Sequence, residues 1–220
     1  MNQVKKFGET VEGYDIPVLN EREIRASAGI LFLFLFTSWM LVLLRENFFL
    51  VKLFITIFLT DFVIRVFVSP KFSPSLIIGR WIVSRQNPEY VGAVQKKFAW
   101  TIGLVLAAIM FLHIVVANSY SFITGIICLT CLTFLFFESV FGICLGCSFY
   151  SWFHKEKTQY CPGEVCDVKA KQGIQKTSPT QIGIVIGFVA FVFVAAYLFQ
   201  DRLSARPVDL WIIVQSLFAR

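Results

Sequence analysis

The sequence predicts an all-α, polytopic membrane protein: a four-helix transmembrane core, a fifth C-terminal transmembrane helix, and short interfacial helices. Three observations carry this. With 57% hydrophobic residues, 25 Phe and a mean hydropathy of +0.72, a 220-residue chain has more apolar surface than a soluble domain of that size can hide. Apolar runs of about 20 residues, enough to cross a bilayer, recur along the chain. Lys and Arg mostly flank those runs.

Residues 1–19 are polar, mixed in charge and punctuated by Gly8, Gly13 and Pro17, which describes a surface arm. The first apolar run, from about Ala28, is too long for a signal h-region, so the N-terminus is expected to be retained. Asn20 with Glu23 three residues on forms a capping-box arrangement. The helix it starts runs through AGILFLFLFTSWMLVLL to Leu44 and is the first span. Arg45, Glu46 and Asn47 leave room only for a tight turn, so the second span, Phe48 to Val68, returns antiparallel to it.

Pro70 and Pro74 break the helix, and Ile77, Ile78, Trp81 and Ile82 opposed by Arg80 and Ser84 suit a short helix in the interface plane. The third span runs from about Phe98 to Ala117, entered after Lys96 and Lys97. A turn, NSYS, leads into the fourth, from about Phe122 to Cys147, which closes on the aromatic cluster Phe149, Tyr150, Trp152 and Phe153. A hydrophilic loop carrying Cys161 and Cys166 precedes a fifth span, IGIVIGFVAFVFVAAYLF. The tail from Gln200 contains DLWIIVQSLF, too short to cross and expected at the interface. The divisions are thus 1–19, an arm; 20–153, a four-helix membrane domain; 154–179, a Cys-containing loop; and 180–220, the fifth span and tail.

Four Lys or Arg lie in the N-terminal arm and first helical turns, five between spans two and three, and five between spans four and five. The turn between spans three and four has none. The positive-inside rule puts the N-terminus and both basic loops in the cytoplasm and the C-terminus outside. The three arginines of the tail count against this. The net charge of +6 does not form a basic stripe interleaved with aromatics, so nucleic acid is not an expected partner; the lipid bilayer is.

A charge at mid-membrane costs about 2.5–3.5 kcal/mol on insertion scales, so those within spans need a reason. Asp61 and Arg65 lie one turn apart on one face of span two, and Glu138 falls at a similar depth in span four. The three are expected to form one buried ionic cluster, either stapling helices or tuning protonation. His113 reads as a hydrogen-bonded residue between helices, and Lys52 as a side chain snorkelling to the outer surface.

Cys128 and Cys131 form a CxxC within an apolar helix, where cysteine is a small packing residue. Cys144 and Cys147 stand at the polar edge, separated by Leu145 and Gly146, where they can exchange thiols, form a disulfide or share a metal. At the carboxyl end of a helix the dipole would disfavour a thiolate there, unless Gly146 begins a new segment or Arg65 approaches. Successive gaps of 2, 13 and 4 residues link Cys144, Cys147, Cys161 and Cys166, a loose zinc-ribbon spacing with His154 close by. No Walker loop, dinucleotide fingerprint, HExxH or nucleophile elbow is present, and His113 and His154, predicted on opposite sides, do not make a haem pair.

The stretches NEREIRASAGI (from Asn20), DFVIR (from Asp61), FSPS (from Phe72), KKFAWTIG (from Lys96) and ESVFGICLGCSFY (from Glu138) resemble an uncharacterised bacterial membrane family, domain of unknown function 4395. The resemblance covers roughly residues 14–153. It implies a four-helix unit ending in CxGC and groups Asp61, Arg65, Glu138, Cys144 and Cys147, without supplying an activity. The leading expectation is thiol–disulfide redox or sulfur relay. In it Cys144 and Cys147 react, Glu138 assists proton movement, Cys161 and Cys166 serve as accessory thiols, and a thioredoxin-like or sulfurtransferase protein is the partner. The alternatives are a zinc or iron site on Cys144, Cys147, Cys161 and Cys166, or a non-catalytic transporter or scaffold; cofactor need is otherwise open.

Overall fold

Asn20 starts the first membrane helix by two hydrogen bonds. In the computed structural model, which describes residues 7–147 and 177–209, its Oδ1 accepts from the Arg22 N–H at 3.2 Å and its Nδ2 donates to Glu23 Oε1 at 3.0 Å. Strand β1 (Val18–Asn20) thus leads into helix α1 (Glu21–Arg45). Glu46, with φ at 51°, turns the chain out of the helix, and the N–H groups of Glu46 and Asn47 satisfy the Val42 and Leu41 carbonyls. Helix α2 (Phe49–Val63) returns beside α1 and continues as a π-helical turn, Ile64–Val68.

A 3-10 turn (Pro70–Phe72) leads to α3 (Pro74–Ile82), and β2 (Tyr90–Gly92) pairs antiparallel with β1, Val18 opposite Gly92. Then come α4 (Ala93–Met110) with a π turn, Phe111–Val116; β3 (Ser119–Tyr120); and α5 (Phe122–Phe136) with a π turn, Phe137–Phe141. After the undescribed stretch come α6 (Pro179–Leu198), α7 (Gln200–Ser204) and β4 (Val208–Asp209), the last parallel to β3.

Helices α1, α2, α4 and α5 surround one core, with α1 against α2 and α5, and α4 against the same two. Leu31, Leu35, Phe58, Trp100 and Leu132 fill it, and Phe58 stacks on Phe62 with ring centroids 4.2 Å apart. Gly103 admits Phe62: a Cβ there would lie 2.8 Å from its ring. Helix α6 stands outside this bundle against α3, anchored where buried Gln181 donates to the Lys71 carbonyl at 2.9 Å.

Among the described residues, Glu21–Arg45, Ala93–Val116, Phe122–Phe141 and Pro179–Leu198 are long and apolar enough to cross a membrane. The run from Phe49 to Val68 is also unbroken but carries Lys52, Asp61 and Arg65, which are only 1%, 1% and 2% exposed. Its charges face protein, while Phe67, Phe122 and Phe193 face outward. The chain is therefore an all-α polytopic membrane protein with a four-helix core and a peripheral fifth helix.

Two placements differ from expectation. Lys52 does not snorkel: its ammonium donates to Asn118 Oδ1 at 2.6 Å and to the Arg202 and Ala205 carbonyls at 3.1 and 2.5 Å. The carbonyls at the end of α7 offer the cation acceptors that the membrane surface would otherwise supply. Helix α3 turns its polar face inward, with Arg80 buried and Trp81 and Ile82 exposed. Gly79 makes this fit possible, since a Cβ there would lie 2.5 Å from the Glu23 carbonyl oxygen of α1.

Candidate functional site

The starts of α1 and α4 meet the ends of α2 and α5 at one end of the bundle, and three buried polar networks assemble there. Helix α1 gives one side chain to each: Glu23, Ser27 and Glu21. In the first, Arg80 Nε donates to Glu23 Oε2 at 3.0 Å, with Glu9 3.6 Å from the same guanidinium. Burial raises the Glu9 carboxyl above its usual range, against the pull of Arg80 and Lys71.

In the second, Arg65 Nε donates to Asp61 Oδ2 at 2.8 Å, one turn away. Ser73, Ser75 and Ser27 complete the pair. Ser73 Oγ and the Ser75 N–H donate to Asp61 Oδ1 at 2.8 and 3.0 Å, and Arg65 Nη2 donates to Ser27 Oγ at 2.6 Å. The guanidinium also lies over the rings of Phe62 and Trp100, at 4.6 and 5.2 Å. Such saturation lets a buried pair persist, because each desolvated donor and acceptor finds a partner. The FSPS stretch is thus the ligand set of the Asp61–Arg65 pair.

The third network is where Glu138 is found. The expected cluster of Asp61, Arg65 and Glu138 divides: Glu138, in the π turn of α5, takes its hydrogen bond from Lys96 of α4. Arg65 has its donors committed to Asp61 and the serines, so the Glu138 carboxylate pairs with the other cation. Arg65 and Glu138 still border one cavity of about 60 Å³. Lys96 is wholly buried, with Glu21 2.8 Å away on its other side. This ion pair with Lys96 is what compensates the buried Glu21 carboxylate.

The CLGC stretch lies against this third network. Helix α5 does not continue to Cys147 as expected; Gly142, with φ at 67°, ends it, and Arg25 covers that turn by donating to the Val140 carbonyl at 3.2 Å. Residues 145–147 begin a new helical segment, with Cys144 just ahead of it. The Cys147 N–H donates to Cys144 Sγ at 3.3 Å, and the two sulfurs are 2.6 Å apart as hydrogen-bonded thiols. Cys144 therefore does not stand at the carboxyl end of α5, and the sequence-based objection from that helix's dipole does not apply. Gly146 packs this turn onto α4: a Cβ there would fall 2.5 Å from Ala99 Cβ, one turn beyond Lys96.

Cys144 is 4% exposed and Cys147 is half-buried. The hydrogen bond with Cys147, then burial, pushes the Cys144 thiol well above its ordinary range. The Lys96 ammonium pulls the other way, and the Glu138 carboxylate adds to the rise. The arrangement holds two adjacent thiols, a buried cation that favours a thiolate, and a carboxylate able to take a proton.

The sequence matches the family model of a domain of unknown function (DUF4395) over residues 19–155. The chain belongs to this family. Neither the curated proteins searched nor the solved structures searched contain a match. Apart from Glu9, the DUF4395 region takes in all three networks and the CLGC turn, while α6 lies beyond it.

Cys161, Cys166 and His154 lie outside the described residues, as do the aromatic cluster after Cys147 and most of the DLWIIVQSLF tail. Among the described residues no three His, Cys, Asp or Glu side chains converge as a metal set. Two of the four cysteines of the metal alternative, Cys161 and Cys166, are among those outside the described residues. His113 sits in the π turn of α4, where its carbonyl accepts from Ser119 Oγ at 3.3 Å.

Lys96 and Glu21 were not singled out from the sequence. Lys96 read as a flanking charge, yet it falls on the buried stripe Ala93, Lys96, Trp100, Leu104 and Ala107 of α4. A lysine in a core position of a helical repeat was the available signal.

Proposed function

We propose that this protein is a membrane thiol–disulfide redox or sulfur-relay protein whose reactive dithiol is Cys144 and Cys147. One observation carries the reading: the hydrogen-bonded thiols of Cys144 and Cys147 stand beside the partly buried Lys96–Glu138 ion pair. Cys147 is the more accessible sulfur and makes the first attack on a partner disulfide, forming a mixed disulfide. Cys144 then displaces the partner's second sulfur. One disulfide and two thiols become one disulfide and two thiols on the other protein, so electrons and protons balance. Lys96 favours the developing Cys144 thiolate, and Glu138 takes its proton.

The partner class that suits a half-buried Cys147, the more accessible of the two thiols, is a thioredoxin-like protein or a sulfurtransferase. The distribution of Lys and Arg supports a cytoplasmic position for this end of the bundle, and the family resemblance implies a bacterial inner membrane. The test is thiol titration of the purified protein with and without reductant, together with its metal content. A reducible Cys144–Cys147 disulfide without stoichiometric metal is expected. Stoichiometric zinc or iron lost on Cys144→Ser overturns the reading in favour of a metal protein. Full thiol reactivity without metal, and function unchanged in Cys144→Ser, leaves the cysteines incidental to a transporter or scaffold.

A further inference from the structure

The dithiol has an inner side as well as an outer one. Cys144 and Glu138 line the cavity of about 60 Å³ at the end of the bundle, and so does Cys131 of α5. One water-sized guest needs about 10–15 Å³, so the space is real, and its walls are otherwise largely apolar apart from Arg65. Cys131 also lines a second cavity of about 30 Å³ with Cys128. Cys128 in turn borders a third, of about 330 Å³, at the opposite end, where Arg206 and Glu46 meet. Thiols therefore stand at each junction of a row of internal spaces. Packing alone accounts for a small side chain at 128 or 131, but it does not place Cys131 across a cavity from the dithiol.

We propose that Cys131 is a second sulfur-carrying thiol, which accepts a sulfane sulfur atom from Cys144 across this cavity. The inference rests on the sulfur-relay form of the proposed function and names its substrate class, a persulfide. The intervening space is what distinguishes this step from disulfide exchange. A direct bridge needs Cα atoms within about 7 Å and no intervening gap, whereas a persulfide carries its outer sulfur forward into the space.

The chemistry balances without an added oxidant. Cys147 takes a sulfur from a persulfide donor and hands it to Cys144, 2.6 Å away. Cys131 then loses its proton to the Glu138 carboxylate by way of water in the cavity that both line, and attacks the outer sulfur of the Cys144 persulfide. The bond from that sulfur to Cys144 breaks, Cys131 gains it, and Cys144 leaves as a thiolate beside Lys96 and recovers the proton from Glu138. Glu138 lies seven residues beyond Cys131, in the π turn that follows α5, and on the wall of the same cavity.

The experiment incubates the reduced full-length protein in detergent with glutathione persulfide, blocks thiols, and maps added sulfur on each cysteine peptide by mass spectrometry. Added sulfur is expected on Cys147 or Cys144 and on Cys131. In Cys144→Ser and Cys144→Ala the Cys131 adduct disappears while Cys147 still reacts. In Glu138→Gln its appearance slows by about a hundredfold, the scale of a lost proton acceptor, with Cys147 unaffected. Adducts on the dithiol without any on Cys131 overturn this inference alone. So does a Cys144–Cys147 disulfide formed with release of hydrogen sulfide, or an undiminished Cys131 adduct in both Cys144 variants. No adduct on any of the three overturns the sulfur-relay reading as well.

Discussion

Lys96 holds Glu138 and Glu21 apart: its ammonium, wholly buried, hydrogen-bonds the first carboxylate and lies 2.8 Å from the second. Lys96→Met would leave two carboxylates facing each other without their cation. The loss should be about 3–5 kcal/mol, the cost of breaking a buried pair from one side. Thermal unfolding in detergent measures it, and adding Glu138→Gln to Lys96→Met should recover part of it. Alkylation of Cys144 should also slow in Lys96→Met, because the thiolate loses its nearby positive charge.

Asp61→Asn tests the neighbouring network. The amide keeps the shape but leaves the Arg65 guanidinium buried without its counter-charge, so a loss of about 3–5 kcal/mol is expected. The double change Asp61→Leu with Arg65→Met should be more stable than Asp61→Asn alone. A double variant no better than the single would show that the pair is not coupled.

Gly146→Ala and Gly125→Ala form a matched comparison. A Cβ at 146 meets Ala99 Cβ at 2.5 Å, whereas nothing lies within 4 Å of one at 125. The first should cost about 1–3 kcal/mol by overpacking and shift the dithiol away from Lys96, visible as a changed Cys144 alkylation profile. The second, inside α5, should stabilise the protein by about 0.5–1 kcal/mol.

The pH dependence of Cys144 follows from the upward shift of its thiol. The thiolate is the reactive form, so its alkylation, resolved by peptide, should climb with pH and not level off by about 8.5, the ordinary thiol value. The folded chain holds this proton more tightly than the unfolded chain does. The resulting stability is therefore intact below the ordinary thiol range and is lost as pH rises through the folded value. Cys147→Ala removes the largest cause and should bring the plateau down.

Lys52→Met should release the segment after α6. Three hydrogen bonds from a charged donor hold Asn118 and the Arg202 and Ala205 carbonyls, and their loss should cost about 1.5–3 kcal/mol at the least. Limited proteolysis should then cut between Phe199 and Asp209 faster than in the parent.

The spans and the hairpin between Arg45 and Phe49 were legible in the sequence because apolar run length and turn length are local properties. So were the Asp61–Arg65 pair, one turn apart, and Asn20 as a cap. The partner of Glu138 was not, because helix periodicity cannot say which face of α4 meets which face of α5. Lys52 and Arg80 were read as surface charges by composition, whereas acceptors distant in sequence, at 202, 205 and 23, hold them inside. The break at Gly142 was also hidden, since FGICL reads as continuous apolar helix until its φ is known.

Three of the four bundle helices finish in π turns, and those turns contain Arg65, His113 and Glu138. A π turn takes up one residue more than α geometry and rotates all that follows by about 100°. The register that each turn sets along its helix therefore matters as much as its side chains. A relative lacking a single residue between Phe136 and Gly142 would keep every charge and cysteine named here and yet swing its carboxylate out toward lipid.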